Sequence, residues 1–92
     1  EQMQLDESSW DGKWRLIIYD VAKSRKAQSD AFRYLLKKLN ILKLQKSVYL
    51  TPFKCEDEIE YLRNFFEIGN EVLILKVGSI ENELAYRKYF GI

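Results

Sequence analysis

Two short runs of this 92-residue sequence are apolar at almost every position, and they constrain the fold more than any other feature. Residues 14–21 read Trp-Arg-Leu-Ile-Ile-Tyr-Asp-Val, and residues 71–77 read Glu-Val-Leu-Ile-Leu-Lys-Val. Short runs that are rich in β-branched and aromatic residues predict strands covered on both faces. The chain must therefore place both strands inside one sheet and cover both sides of that sheet.

Residues 25–39 predict the first helix. Apolar residues recur there at positions i, i+3, i+4 and i+7, which places them on one helical face. Ser24 is the expected N-cap, and Asn40 is a residue type that commonly follows the last helical turn. The remaining face of this helix is rich in Lys and Arg.

Residues 42–53 regain strand character, either as two strands or as one strand bent near Lys46 and Ser47. Pro52 marks the end or the edge of this region. A second helix is expected to start at Glu56, where three acidic residues favour the helix dipole, and to end at Gly69. Residues 80–90 predict a third helix after the last strand.

The order of elements is β-α-β-β-α-β followed by a helix, which predicts an α+β fold. We expect a ferredoxin-like βαββαβ sandwich with both helices on one face of the sheet. Either the C-terminal helix or a second copy of the chain must cover the other face, and we expect a homodimer. Residues 1–9 are polar and aperiodic and predict a linker or tail, so residues 10–92 form the domain.

The composition excludes several classes of protein. The chain has no His, which excludes imidazole-based catalysis and His metal sites. It has no Gly-rich phosphate-binding loop and no apolar run long enough to span a membrane. Its single cysteine, Cys55, excludes an internal disulfide and suits a reducing cytosol. We therefore expect a cytoplasmic protein with no membrane contact.

The formal charge of +1 conceals an uneven distribution. Residues 13–54 hold eleven Lys or Arg against two Asp, and the segments on either side are acidic. This asymmetry favours an anionic partner, for which we expect nucleic acid, DNA rather than RNA. A solvated helix face explains the same pattern, and that alternative stays open. The residues expected to contact nucleic acid are Lys23, Arg25, Lys26, Arg33, Lys37 and Lys38.

Asp20 is the candidate residue for catalysis and metal binding. It ends the first strand before a crossover to a helix, a position where α/β folds often hold ligands. A carboxylate there suits Mg²⁺, and two copies related by a two-fold axis would hold the ion better than one. Such a metal could activate water to attack a phosphodiester. Alternatively, Asp20 accepts hydrogen bonds from the loop or caps the next helix.

Several segments carry a family resemblance. Residues 16–21 (Leu-Ile-Ile-Tyr-Asp-Val) and 44–49 (Leu-Gln-Lys-Ser-Val-Tyr) resemble the Cas-two (Cas2) family of CRISPR-associated endonucleases and adaptation subunits. Residues 10–15 (Trp-Asp-Gly-Lys-Trp-Arg) and 47–52 (Ser-Val-Tyr-Leu-Thr-Pro) are more narrowly similar to the central domain of PaaX-type transcriptional repressors. The resemblance implies a ferredoxin-like homodimer and, in true Cas-two chains, a metal-binding Asp at the position of Asp20.

The resemblance therefore implies a dimerising Cas-two-like module of a PaaX-type DNA-binding regulator. The alternative is a Mg²⁺-dependent endonuclease that uses Asp20 from each protomer, so enzymatic activity stays open, with a non-catalytic role preferred. A small-molecule sensor with an aromatic pocket is a third hypothesis. PaaX-type repressors carry a winged helix-turn-helix that these 92 residues lack, so we expect an isolated domain or a piece of a longer regulator.

Overall fold

The computed structural model describes residues 3–20 and 25–92. Its elements follow the predicted order, with the bounds β1 (Trp14–Tyr19), α1 (Lys26–Lys38), β2 (Leu42–Gln45), β3 (Val48–Thr51), α2 (Glu56–Phe65), a 3-10 turn (Gly69–Glu71), β4 (Val72–Val77) and α3 (Glu83–Phe90). The expected N-cap Ser24 and the expected phosphate contact Lys23 lie outside the described residues.

The four strands form one antiparallel sheet in the order β2-β3-β1-β4. Ile17 of the central strand β1 lies opposite Tyr49 of β3 and Ile74 of β4. A turn at Lys46 and Ser47 joins β2 to β3, so the two-strand alternative is correct. This strand order, together with the helices, confirms an α+β fold of ferredoxin-like type with an added C-terminal helix.

One face of the sheet packs against α1 and α2 and holds the main core. Ile17 and Tyr19 point to this face, because successive side chains of a strand alternate between the two faces. Leu5 joins the same core at 7 % exposure, although residues 3–9 form neither helix nor strand. The helices contribute the apolar residues that their spacing predicts: Phe32, Leu36, Leu39, Ile59 and Leu62.

The three α-helices found in residues 3–20 and 25–92 end in the same way. A residue with positive φ (Asn40 at 64°, Glu67 at 57°, Gly91 at 74°) follows each helix. The next residue is an isoleucine, whose amide donates to a carbonyl five residues earlier. Asn40 thus ends α1 as predicted. The prediction that α2 continues to Gly69 is wrong, because Ile68, 1 % exposed, is drawn into the core and turns the chain at Glu67.

The second face of the sheet is only partly covered. At one end Trp14 is fully buried, and its ring centroid lies 6.4 Å from that of Tyr86 and 6.2 Å from that of Phe90 in α3. Away from α3, Leu73 is 54 % exposed and Leu75 is 39 % exposed. We call the apolar residues of β1, β3 and β4 on this side that keep some exposure the open sheet face; they are Leu16, Ile18, Val48, Leu73, Leu75 and Val77.

Candidate functional site

Asp20 lies directly after β1, as the sequence predicts, and its side chain is exposed. Its backbone amide donates to the carbonyl of Glu71 at 3.3 Å, which fixes the end of β1 beside the start of β4. Within residues 3–20 and 25–92, no three or more Asp, Glu, Cys or His side chains are grouped as a metal site. In one chain, the described residues therefore offer Asp20 as a single carboxylate ligand.

The first part of α1 has its cations occupied by other residues. Arg25, immediately before the helix, donates to the carbonyl of Glu67 and forms an ion pair with Glu71 at 3.1 Å. Lys26 forms an ion pair with Asp30 at 2.8 Å. Both were expected to contact nucleic acid, and the structure shows that each already has an anionic or carbonyl partner within the chain.

The second part of α1 presents cations of a different kind. The guanidinium of Arg33 lies over the ring of Tyr19, 5.3 Å from its centroid, and no hydrogen bond or ion pair joins it to another described residue. Lys37 is exposed, and the ammonium group of Lys38 lies 5.8 Å from the centroid of Tyr34. Of the predicted contact residues, these three keep their charges available to a ligand.

A groove of about 660 Å³ runs beside this part of α1. We call it the α1–β2 groove, since these two elements form most of its walls. Three further lining residues come from separate elements: Lys43 in β2, Tyr49 in β3 and Tyr89 in α3. The sequence alone does not predict that these three residues belong to the site. The described residues that line it are Asp30, Arg33, Tyr34, Lys37, Asn40, Ile41, Leu42, Lys43, Tyr49 and Tyr89.

Arg15 forms a second cationic centre that sequence analysis also missed as a site. Its side chain is 1 % exposed and donates to both carboxylate oxygens of Asp11, at 2.9 and 2.7 Å, and to Glu56 at 3.2 Å. It also donates to the carbonyls of Lys13 and Pro52. We call Arg15, Asp11 and Glu56 the Arg15 cluster; it ties the N-terminal segment and the start of α2 to β1.

The electrostatics of the Arg15 cluster follow from these bonds. The hydrogen bonds from Arg15 hold the pKa of Asp11 far below its usual range. The pKa of Glu56 is also lowered: burial opposes this, but backbone hydrogen bonds and Arg15 outweigh it. Both carboxylates therefore stay ionised at neutral pH. Arg15 donates its hydrogen bonds within the chain, so the cluster has a structural role.

Cys55, at the start of α2, is fully buried. Burial, reinforced by the charge of Glu56, raises the pKa of its thiol to about 12. A thiol with this pKa stays protonated at neutral pH and is a poor nucleophile. Cys55 is therefore a packing residue at the entry to α2.

A comparison with models of protein families gives a match that covers most of the chain. The family model described as "PaaX protein central Cas2-like domain" matches residues 7–86, from the N-terminal segment into α3. The searches of curated proteins and of solved structures gave no match. Among the helices of the described residues, none has the length and apolar character needed to cross a bilayer.

Proposed function

Because the chain belongs to the family of PaaX central Cas2-like domains, we propose that it is a dimerising module of a PaaX-type DNA-binding transcriptional regulator. In such a regulator, a symmetric dimer holds two DNA-reading elements at a fixed spacing, which matches the two halves of a palindromic site. Free cations of α1 would add phosphate contacts that do not depend on sequence.

The open sheet face carries the dimer proposal. Its six positions are all apolar, so a second copy can meet it around a two-fold axis without bringing like charges together. Leu73 and Leu75, on the edge strand β4, are its most exposed members. Burying such a patch is favourable by about 25 cal/mol per Å², and a small domain has much to gain from it.

The test is the mass of the chain in solution. We expect a dimer by sedimentation velocity that Leu73→Glu converts to a monomer, because the variant buries two unpaired carboxylates across the axis. Tyr61→Glu is the matched control: Tyr61 is 57 % exposed on α2, in the layer on the other side of the sheet, against 54 % for Leu73. A wild-type chain that stays monomeric up to about 100 μM would overturn the dimer proposal.

The alternative function, a Mg²⁺-dependent endonuclease, is supported by one observation: Asp20 is exposed at the end of β1. Mg²⁺ is commonly bound through one or two carboxylates and several waters, and Asp20 from both protomers would supply them. When bound, the ion would activate a water toward a phosphodiester. Metal-dependent cleavage that is lost in Asp20→Asn but kept in Asp57→Asn, another exposed Asp, would establish this function over the non-catalytic one.

A further inference from the structure

We propose that the α1–β2 groove binds an unpaired nucleotide of a single nucleic-acid strand. In this proposal Arg33, Lys37 and Lys43 contact phosphates of the strand, and the exposed rings of Tyr34 and Tyr89 stack on the base. It rests on the proposed function only in that α1 contacts nucleic acid. It goes beyond that function in naming the site, the residues and the form of the nucleic acid.

The charges of the groove favour a phosphate. Three cations from two elements line it: Arg33 and Lys37 lie one helical turn apart on α1, and Lys43 lies on β2. Among the described residues that line it, Asp30 is the one acid, and Lys26 pairs with it at 2.8 Å. The groove therefore keeps a net positive charge.

Arg33 is prepared for an anion in a way that a mobile surface arginine is not. Its guanidinium lies over the buried ring of Tyr19, and this cation–π contact uses none of its N–H donors. Its Nε is buried and has no hydrogen-bond acceptor among the described residues. Phosphate oxygens match the fork of a guanidinium, so a phosphate in the groove would accept hydrogen bonds from the terminal N–H groups of Arg33 rather than from the buried Nε.

The shape of the groove favours an unpaired base over a duplex. Ile41 and Tyr49, each 4 % exposed, lie among its lining residues, and the half-buried Leu42 joins them. Tyr34 and Tyr89 are 60 % and 58 % exposed and offer their rings at its sides. Bases of a duplex are already stacked and paired, so a duplex would reach only the cations. An unpaired base can enter and stack on an aromatic ring, as in other single-strand binding grooves.

The test is fluorescence anisotropy of the wild-type 92-residue chain with a labelled single strand and with a labelled duplex of the same length. We expect tighter binding of the single strand. Tyr34→Ala should weaken single-strand binding about tenfold and leave duplex binding unchanged, because only unpaired bases stack on the ring. Tyr61→Ala, an equally exposed tyrosine on α2, is the matched control and should change neither.

The cations are tested by salt dependence. Lys37→Gln combined with Lys43→Gln should reduce the slope of log K against log salt by about 1.4 for a single strand, since each phosphate contact contributes about 0.7. Lys76→Gln, an exposed lysine of β4 at the opposite edge of the sheet, should leave the slope unchanged. All five substituted side chains are exposed, and the melting temperature of each of the four variants confirms that it is folded.

The outcomes separate this proposal from the proposed function. If the duplex binds as tightly as the single strand and Tyr34→Ala changes neither, the groove proposal is overturned while phosphate contacts by α1 stand. If free thymidine monophosphate displaces the strand at equal nucleotide concentration, the groove recognises a free nucleotide, and the single-strand assignment is overturned. If no nucleic acid binds, both proposals about nucleic acid fail, whereas the dimer proposal is decided separately by mass.

Discussion

Arg15 and Arg33 lie in the same small domain but differ in their hydrogen bonds within the chain. Arg15 is 1 % exposed and makes five hydrogen bonds, three of them to the carboxylates of Asp11 and Glu56. Arg33 is half-buried, stacks on the ring of Tyr19, and makes no hydrogen bond to another described residue. The comparison separates a cation whose donors hold the fold together from one whose donors find no acceptor among the described residues.

The difference follows from desolvation. A fully buried guanidinium loses its hydration, so it is stable only when carboxylates and carbonyls replace the water. A half-buried guanidinium keeps part of its water, and an aromatic ring can support it without occupying its donors. The number of hydrogen bonds that each arginine donates therefore distinguishes a charge that the fold neutralises from one that it leaves without an acceptor among the described residues.

The largest expected effect is on the structural member of the pair. Arg15→Met should lower the free energy of unfolding by about 3 kcal/mol, because it leaves two carboxylates and the Pro52 carbonyl without their shared donor. Urea unfolding followed by circular dichroism measures this loss. Arg33→Met is the matched control and should lose less than about 1 kcal/mol. If the two variants lost the same free energy of unfolding, the two arginines would not differ in structural role.

The next effect is a pH dependence that depends on Asp11. Asp11→Asn should cost about 1.5 kcal/mol at neutral pH, the contribution of a hydrogen bond between charged groups. Because the pKa of Asp11 is lowered by folding, this stabilisation is complete above its unfolded value of about 4 and is lost as the pH falls further. The stabilities of the wild-type chain and of Asp11→Asn should therefore approach each other steadily as the pH falls below about 4.

Unfolding curves measured at several pH values test this convergence. Asp57→Asn, which changes an exposed carboxylate in the first turn of α2, serves as the control. Its difference from the wild-type chain should stay small across the same range. A constant difference between the wild-type chain and Asp11→Asn down to pH about 2 would show that Asp11 does not supply the linkage.

How much of this could be predicted from sequence depends on how far each contact reaches along the chain. The order of elements follows from the spacing of apolar residues, which is a local property, and it was predicted correctly. Asp11 and Arg15 are four residues apart, but Glu56 reaches Arg15 across 41 residues. No local pattern indicates that Glu56 is a partner of Arg15. From the sequence, Asp11 and Arg15 stand out only as members of the run at residues 10–15 that resembles a known family.

The groove shows the same limit. Helical spacing places Arg33 and Lys37 on the exposed face of α1, and both were predicted as nucleic-acid contacts. Lys43 and Tyr49 join them only because β2 and β3 pair in a particular register, and Tyr89 joins through the packing of α3. The sequence also does not show which cations of α1 are already paired, because the partners of Arg25 lie in the turn after α2.

Arg25 offers an intermediate case between the two arginines. It is paired with Glu71, but the pair is partly exposed, at 38 % and 19 % of the two side chains. Arg25→Gln should therefore lower the free energy of unfolding by only about 0.5–1 kcal/mol. Its effect on single-strand affinity should be less than about twofold, since its charge is neutralised within the chain. A tenfold loss of affinity would instead show that Arg25 contacts the nucleic acid despite its pairing with Glu71.

The smallest expected effect on stability belongs to Arg33→Gln. The variant loses a cation–π contact but also removes a buried Nε donor that has no acceptor among the described residues. These contributions oppose each other, so the free energy of unfolding should change by less than about 0.5 kcal/mol. Single-strand affinity should nevertheless fall about tenfold, because a charge-assisted bond to phosphate is lost.

A loss of single-strand affinity without a loss of stability is the sharpest test of the comparison. Substitution of an arginine with a purely structural role would lower the stability of the fold as well. Arg33→Lys keeps the charge but not the guanidinium fork, so it should recover the salt dependence and only part of the affinity. If Arg33→Gln instead unfolds the domain as readily as Arg15→Met, then stacking on Tyr19 is itself structural. In that case the missing acceptor of Arg33 Nε reflects imperfect packing of α1 rather than a ligand site. The groove would then bind its ligand through Lys37 and Lys43.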